Sequence, residues 1–396
     1  MSATSTWASC GAMALTGDAD GPPLALPGTV SLRAETLAGR FGLDAGLLAE
    51  RAGTVGLRRR GRISCGGATR LLPTRDGWIS LSLPRPDDLN LVPALLGVGG
   101  TDSEPAWSAI AAEVVRHSAA ELDGRAALLG LGCSVVGAHG GPLAVQGEPR
   151  RGATPRTAPL VVDLSALWAG PLCTHLLQRA GARVIKVEDP ARPDGGRTGN
   201  KAFFDLLNRD KQSVALDFRS PFGRTRLKAL LAAADVVVSS ARARAFEQLD
   251  ILVEDVLATA SDKVWTAITA YGWGSNRVGF GDDVAAGAGL VAWHPVDGEP
   301  RFAADAVADP LAGLEAAALT LDCLAGGGRW FIDASLAGAA SHTTGLSAPA
   351  RPATCCDGHW SIDGDIVLPP RSRAGCPHPA RPIGADTETV FADLAP

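Results

Sequence analysis

Asp309 with Pro310 directly after it, Arg242 and Arg244 on one short segment, and a late group of thiols and imidazoles are the residues here whose types and spacing could do chemistry. A carboxylate in front of a proline can attack an electrophile. It can equally start a helix, because Asp is favoured at the cap and Pro in the first turn. The two arginines can hold phosphate through charge-assisted hydrogen bonds, or stand solvated on a loop. Cys355, Cys356, His359, Cys376 and His378 offer zinc-type donors. No C-x-x-C pair is present and adjacent cysteines chelate poorly, so no metal is expected. The basic run Arg58, Arg59, Arg60 and Arg62 reads as a solvated rim.

These groups must be positioned by a large scaffold. The 396 residues exceed the usual single core, so two domains, or one large domain with an appendage, are expected. Hydrophobic residues at 46% and charged residues at 20% describe a globular protein rather than a disordered one. The formal charge of -5 argues against a general nucleic-acid binder, which needs a concentrated basic surface. Eight scattered cysteines, without a basic segment running into an apolar one at the start, point to reduced thiols in the cytoplasm. No apolar run approaches the roughly 20 residues of a membrane span.

Buried-strand patterns occur at Leu160–Leu164, Ala182–Glu188, Ser213–Phe218, Asp235–Val238 and Val264–Tyr271. Helix-length segments separate them, which predicts an α/β fold: a large domain with a Rossmann-like parallel sheet. Before it, Gly77–Leu83 alternates as a strand does and Ala111–Leu122 has helical spacing, giving a smaller α+β domain. The reading divides the chain into an N-terminal segment (1–61), the small domain (62–145), a linker (146–158) and the Rossmann-like domain (159–396). A faint repeat relates residues 11–23 to 289–300, both built around an Asp-Gly turn. No G-x-G-x-x-G is present, so a nicotinamide site has little support even with Glu188 at a strand end.

Asp163-Leu164-Ser165-Ala166-Leu167-Trp168-Ala169-Gly170-Pro171, the strand 181–188, Leu207-Asn208-Arg209-Asp210-Lys211-Gln212-Ser213 and Ser220-Pro221-Phe222-Gly223-Arg224 follow one another at intervals that resemble family III CoA-transferases. This is the formyl-CoA and carnitine CoA-transferase group, CaiB/BaiF-like and related to α-methylacyl-CoA racemases. Ala270-Tyr271-Gly272, the segment 306–314 around Asp309 and the tail 383–394 extend the likeness. It covers roughly residues 159–395, and more weakly 8–145. The order is unusual: residues 62–136 resemble the family's small domain, which normally follows the catalytic aspartate.

The resemblance implies a CoA-transferase that moves CoA between an acyl-CoA thioester and a carboxylic acid. Asp309 would be the catalytic carboxylate, passing through an aspartyl anhydride and an aspartyl-CoA thioester. Leu167, Trp168 and Ala169 would line the CoA site. Coenzyme A enters as a substrate, no metal is expected, and an interlocked homodimer is implied. An isolated Asp309 would have an ordinary pKa of about 4 and need little activation. Where the family has an Asn-Phe pair after its fourth strand, this chain has Ser240-Ala241, so Arg242 and Arg244 are the candidates to hold CoA phosphate. Related racemases place a histidine within the segment matching Gly279-Phe280-Gly281-Asp282-Asp283. None stands there, and His294 is the nearby substitute. A racemase or a non-catalytic acyl-CoA-binding homologue are therefore the alternatives.

Overall fold

Short runs of Val and Ile, buried on both faces, form the middle of a seven-stranded sheet in the computed structural model, which describes residues 1–98, 106–150, 157–345, 348–373 and 378–394. Its strands are β1 (Leu143–Glu148), β2 (Leu160–Leu164), β3 (Arg183–Glu188), β4 (Gln212–Ala215), β5 (Val236–Ser239), β6 (Lys263–Thr269) and β7 (Arg329–Ser335). Their spatial order is β1-β7-β6-β5-β2-β3-β4. All neighbours from β7 to β4 are parallel, and β1 runs antiparallel along β7. The order 4-3-2-5-6-7 is that of a doubly wound dinucleotide fold, and it reverses between β2 and β5. Ligands of such sheets bind outside the carboxyl ends of the strands at that reversal, so the loops after β2 and β5 are the ones to inspect.

The sheet belongs to one of two units, comprising Pro142–Ser275, Ala312–Ser335 and Ala374–Pro396. Its core joins Val162, Ile185, Val214, Val237 and Trp265 to Leu227, Leu230 and Leu231 of the helix Pro221–Ala233. Trp265 is fully buried and meets Phe246 edge to face at 5.1 Å. β4 ends earlier than the sequence suggests. Ser220 N–H bonds back to the Asp217 carbonyl and Ser220 Oγ caps Gly223 N–H at 2.9 Å, so the backbone has left the ladder by then. β1 takes in residues 146–148 of the segment read as a linker, whose residues 151–156 lie outside the described residues.

The other unit gathers Met1–Gly141, Asn276–Leu311 and Leu336–Arg373. An antiparallel sheet of Thr69–Pro73, Trp78–Ser82 and Gly132–Val135 packs Leu72, Ile79, Leu81 and Cys133 against three helices, the smaller α+β part that the sequence predicts. The helical span read at Ala111–Leu122 is two helices, Trp107–Val114 and Ala119–Leu129. Ser118 restarts the second: its Oγ accepts Glu121 N–H at 3.2 Å, while Asp76 Oδ1 accepts Ala119 N–H at 2.8 Å. The two similar Asp-Gly turns are joined by Arg301, whose Nε and Nη2 reach Asp18 Oδ1 (2.7 Å) and Asp297 Oδ2 (2.6 Å). Among the described residues no helix is long and apolar enough to cross a membrane.

Candidate active site

Asp309 stands in the first turn of the helix Ala308–Gly326, where its N–H bonds to the Ala306 carbonyl at 2.9 Å. The residue keeps some access to solvent, though protein atoms surround its carboxylate densely. Gly281 lies against it and donates its N–H to the carboxylate. There is no room for a side chain at Gly281: a Cβ would overlap Asp309 Oδ2 and sit 2.6 Å from the Ala306 carbonyl oxygen. Asp282, next in the chain, accepts Ala306 N–H at 2.9 Å. Asp305 is fully buried and takes a two-pronged bond from Arg51, Nε to Oδ2 at 2.9 Å and Nη2 to Oδ1 at 2.5 Å.

Three carboxylates thus share one poorly solvated place with one guanidinium. Burial first, opposed by Arg51 and then reinforced by Asp282 and Asp305, pushes the Asp309 carboxyl up to about 7. Burial and Asp305 likewise push Asp282 up to about 6. The expected ordinary carboxylate near 4 is corrected by this environment, because its reference value presumes water on every side. The neighbouring Asp283 is pushed to about 7, mainly by burial, while its Oδ1 accepts Ser82 Oγ–H and Phe280 N–H, both at 2.8 Å.

The backbone here is held in an uncommon state. Ala304 and Ala306, on either side of Asp305, have φ of 52° and 44°, in the left-handed region that β-carbons disfavour. Ala304 N–H is caught by Thr16 Oγ1 at 3.0 Å and Ala306 N–H by Asp282, so side-chain acceptors on two other segments fix the strained turn. Arg51, Asp282 and Asp305 were not singled out from sequence. Their signal is an ion pair spanning 254 positions, which no local pattern carries.

In the sheet unit, the loops after β2 and β5 meet. Ser240 Oγ accepts Ala166 N–H at 3.1 Å, so the residue standing in place of the family's Asn ties the two loops together. Leu167 is exposed with φ of 68°, Trp168 is buried edge-on to Phe203 at 5.0 Å, and Ala169 opens the helix Ala169–Arg179. A buried ionic network sets this turn. Asp163 accepts from Lys211 Nζ (2.9 Å), Thr174 Oγ1 (2.7 Å) and Ser165 N–H (2.9 Å). Lys186 bridges the Ser165 carbonyl and Asp194 at 2.9 Å each, and Asp194 accepts Leu167 N–H at 3.1 Å. The two lysines hold Asp163 far below the ordinary carboxylate range against its burial.

Arg242 is half-buried at the start of the helix Ala243–Glu247 and Arg244 is exposed within it, both following β5 as the Leu167 turn follows the parallel β2. Asp309 belongs to the other unit. His294 has Asp297 at 3.3 Å and Asp18 at 3.9 Å as its acidic neighbours. Of the basic run, Arg59 bonds to the carbonyls of Ala14, Asp18 and Gly21, and Arg62 pairs with Glu299 at 3.2 Å. Cys355, Cys356 and His359 lie on one exposed hairpin and His378 pairs with Asp210, while Cys376 lies outside the described residues. Among the described residues no three such donors form a metal site.

A doubly wound sheet with an ordered turn at its reversal point, and a carboxylate of raised pKa seated on a glycine, define an α/β protein of the Rossmann-like class with a candidate nucleophile. Residues 159–355, just under half of the chain, match CoA-transferase family III. The chain is 31% identical over 206 residues to human succinyl-CoA:glutarate CoA-transferase, covering 48% of this chain and 47% of that protein. Succinyl-CoA:mesaconate CoA-transferase of Haloarcula hispanica is 34% identical over 122 residues, covering 28% and 31%. A CAIB/BAIF family protein from Brucella suis aligns with a TM-score of 0.42 and 29% identity over 47% of this chain and 55% of that one. The chain spans less than half the length of these two curated relatives.

Proposed function

We propose that this chain is a CoA-transferase that moves CoA between an acyl-CoA thioester and a carboxylic acid, with Asp309 as the acyl acceptor. The observation that carries the reading is the seat of Asp309: an oxygen nucleophile inside the family-matched stretch, oriented by Gly281 N–H and partly open to solvent. In the proposed course, an Asp309 oxygen attacks the thioester carbonyl, the C–S bond breaks and CoA leaves as thiolate. The thiolate then attacks the aspartyl side of the mixed anhydride, releasing the first carboxylate and leaving an aspartyl-CoA thioester. An acceptor carboxylate reverses both steps. Each step forms one acyl bond as another breaks, which is how covalent catalysis divides the transfer.

Coenzyme A would lie along the Leu167-Trp168-Ala169 turn, with Arg242 and Arg244 meeting its phosphates. The succinyl, glutarate and mesaconate substrates named for the relatives favour short dicarboxylic acyl groups as first substrates to try. A cytoplasmic homodimer completes the proposal, since an exchange of segments between copies would restore the family's usual contacts; scattering from a compact monomer at micromolar concentration removes the dimer. The reaction is tested by incubating the chain with succinyl-CoA and a panel of carboxylates, following exchange and intact mass. The expected result is exchange with a CoA adduct on the wild-type chain, both absent from Asp309→Asn while CoA binding persists. Exchange at near wild-type rate in Asp309→Asn ends the aspartyl mechanism.

A further inference from the structure

Arg51 lies outside the family-matched stretch 159–355, yet it is the cation that acts on Asp309. Its helix, Glu50–Val55, is fastened in place: Arg373 Nη2 reaches Glu50 Oε2 at 2.7 Å and Thr54 Oγ1 meets Ser372 Oγ at 2.9 Å. The guanidinium is gripped fork to fork by Asp305, which the left-handed alanines hold rigidly between them. Such a clamp costs the arginine its rotamer freedom before any substrate arrives, so its charge is already in position.

We propose that the N-terminal segment completes the reaction centre through Arg51, a positioning residue whose clamp on Asp305 fixes a positive charge beside Asp309 and keeps that carboxylate able to attack the thioester. The inference rests on the reading of Asp309 as the acyl acceptor. The groups that act on the Asp309 charge are Arg51, Asp282, Asp305 and Gly281 N–H. Cys65 faces Asp305, Asp282 and Arg51 as well, with its thiol raised by burial beyond use as an anion at neutral pH. Without Arg51, three carboxylates would share the pocket with only amide dipoles against them, and Asp309 would hold its proton. A protonated acid is no nucleophile. Once Asp309 is acylated its own charge is gone, while the Arg51–Asp305 pair stays balanced, so the cluster accommodates both stages of the exchange.

The test titrates the carboxyl carbon of Asp309 by carbon-13 NMR between pH 4 and 9, with the resonance identified by its loss in Asp309→Asn. Acyl exchange from succinyl-CoA is followed over the same pH range. In Arg51→Gln the Asp309 midpoint should rise by about one pH unit, the effect of removing one nearby opposite charge. The acid limb of exchange should move with it, giving about a tenfold loss at pH 6 that recovers above pH 8. Arg51→Lys, which keeps the charge, should stay near the wild-type midpoint. An unchanged midpoint in Arg51→Gln, or a uniform loss of rate at every pH, overturns the proposal. If Arg51→Gln does not fold, Arg51→Met fills the same channel without an unpaired amide and carries the titration. A wild-type chain that exchanges no acyl group would end the transferase reading, while the NMR midpoints still decide what Arg51 does to Asp309.

Discussion

Replacing Asp309 with Asn should make the protein more stable at alkaline pH and leave it unchanged at acid pH. Its carboxyl goes from 3.8 in the unfolded chain to about 7 in the folded one, a rise of roughly three pH units. Below pH 4 both states hold the proton and the site costs nothing. Between pH 4 and 7 the unfolded chain releases its proton while the folded chain keeps it, so stability falls as pH rises; above 7 the whole difference is expressed. At about 1.4 kcal/mol per unit this comes to about 4 kcal/mol, and the partial solvent access of Asp309 trims it to roughly 2–4 kcal/mol. Asn keeps an oxygen for Gly281 N–H and carries no charge. Urea unfolding of the wild type and Asp309→Asn at pH 5, 6, 7 and 8 should show a gap of roughly a third of the full value at pH 5 that widens to the full value at pH 8. A gap that is absent at pH 8, or the same at every pH, would refute the argument that burial among Asp282 and Asp305 raises this group. The same variant loses acyl exchange, as expected where a site is held in a strained, charged state for its function.

Gly281→Ala places a methyl group where Asp309 Oδ2 now lies, so exchange should fall on the order of a hundredfold with the fold retained by circular dichroism; a wild-type rate would show that the Gly281 seat is irrelevant. Lys211→Met leaves the buried Asp163 without its direct ion pair and should cost about 3–5 kcal/mol in urea unfolding, whereas a change under about 1 kcal/mol would mean that Lys186 alone suffices. Arg242→Ala with Arg244→Ala should weaken CoA binding about tenfold and flatten its salt dependence, measured by calorimetry. An unchanged affinity removes this pair from the CoA site.

The parallel sheet was legible because its signal is local. Val236-Val237-Val238 is a β-branched run buried on both faces and bounded by turn residues, and a pattern of that kind survives in one sequence. β1 escapes the pattern for the same reason in reverse: Leu143–Glu148 is mostly exposed. Asp309 is singled out by its neighbours in the chain, but its surroundings are not. Its surroundings combine an arginine 254 residues before Asp305, a glycine with no room for a side chain, and two alanines in a conformation that their type disfavours. Each breaks a local rule, and all of them converge on one carboxylate. A chain retains such strain only where surrounding contacts over-determine it, and here those contacts come from Thr16, Arg51 and Asp282, on three segments far apart in sequence. The failure of local reasoning at residues 304–309 is thus itself an argument that this turn, rather than the cap it resembles, is where the chain was shaped for chemistry.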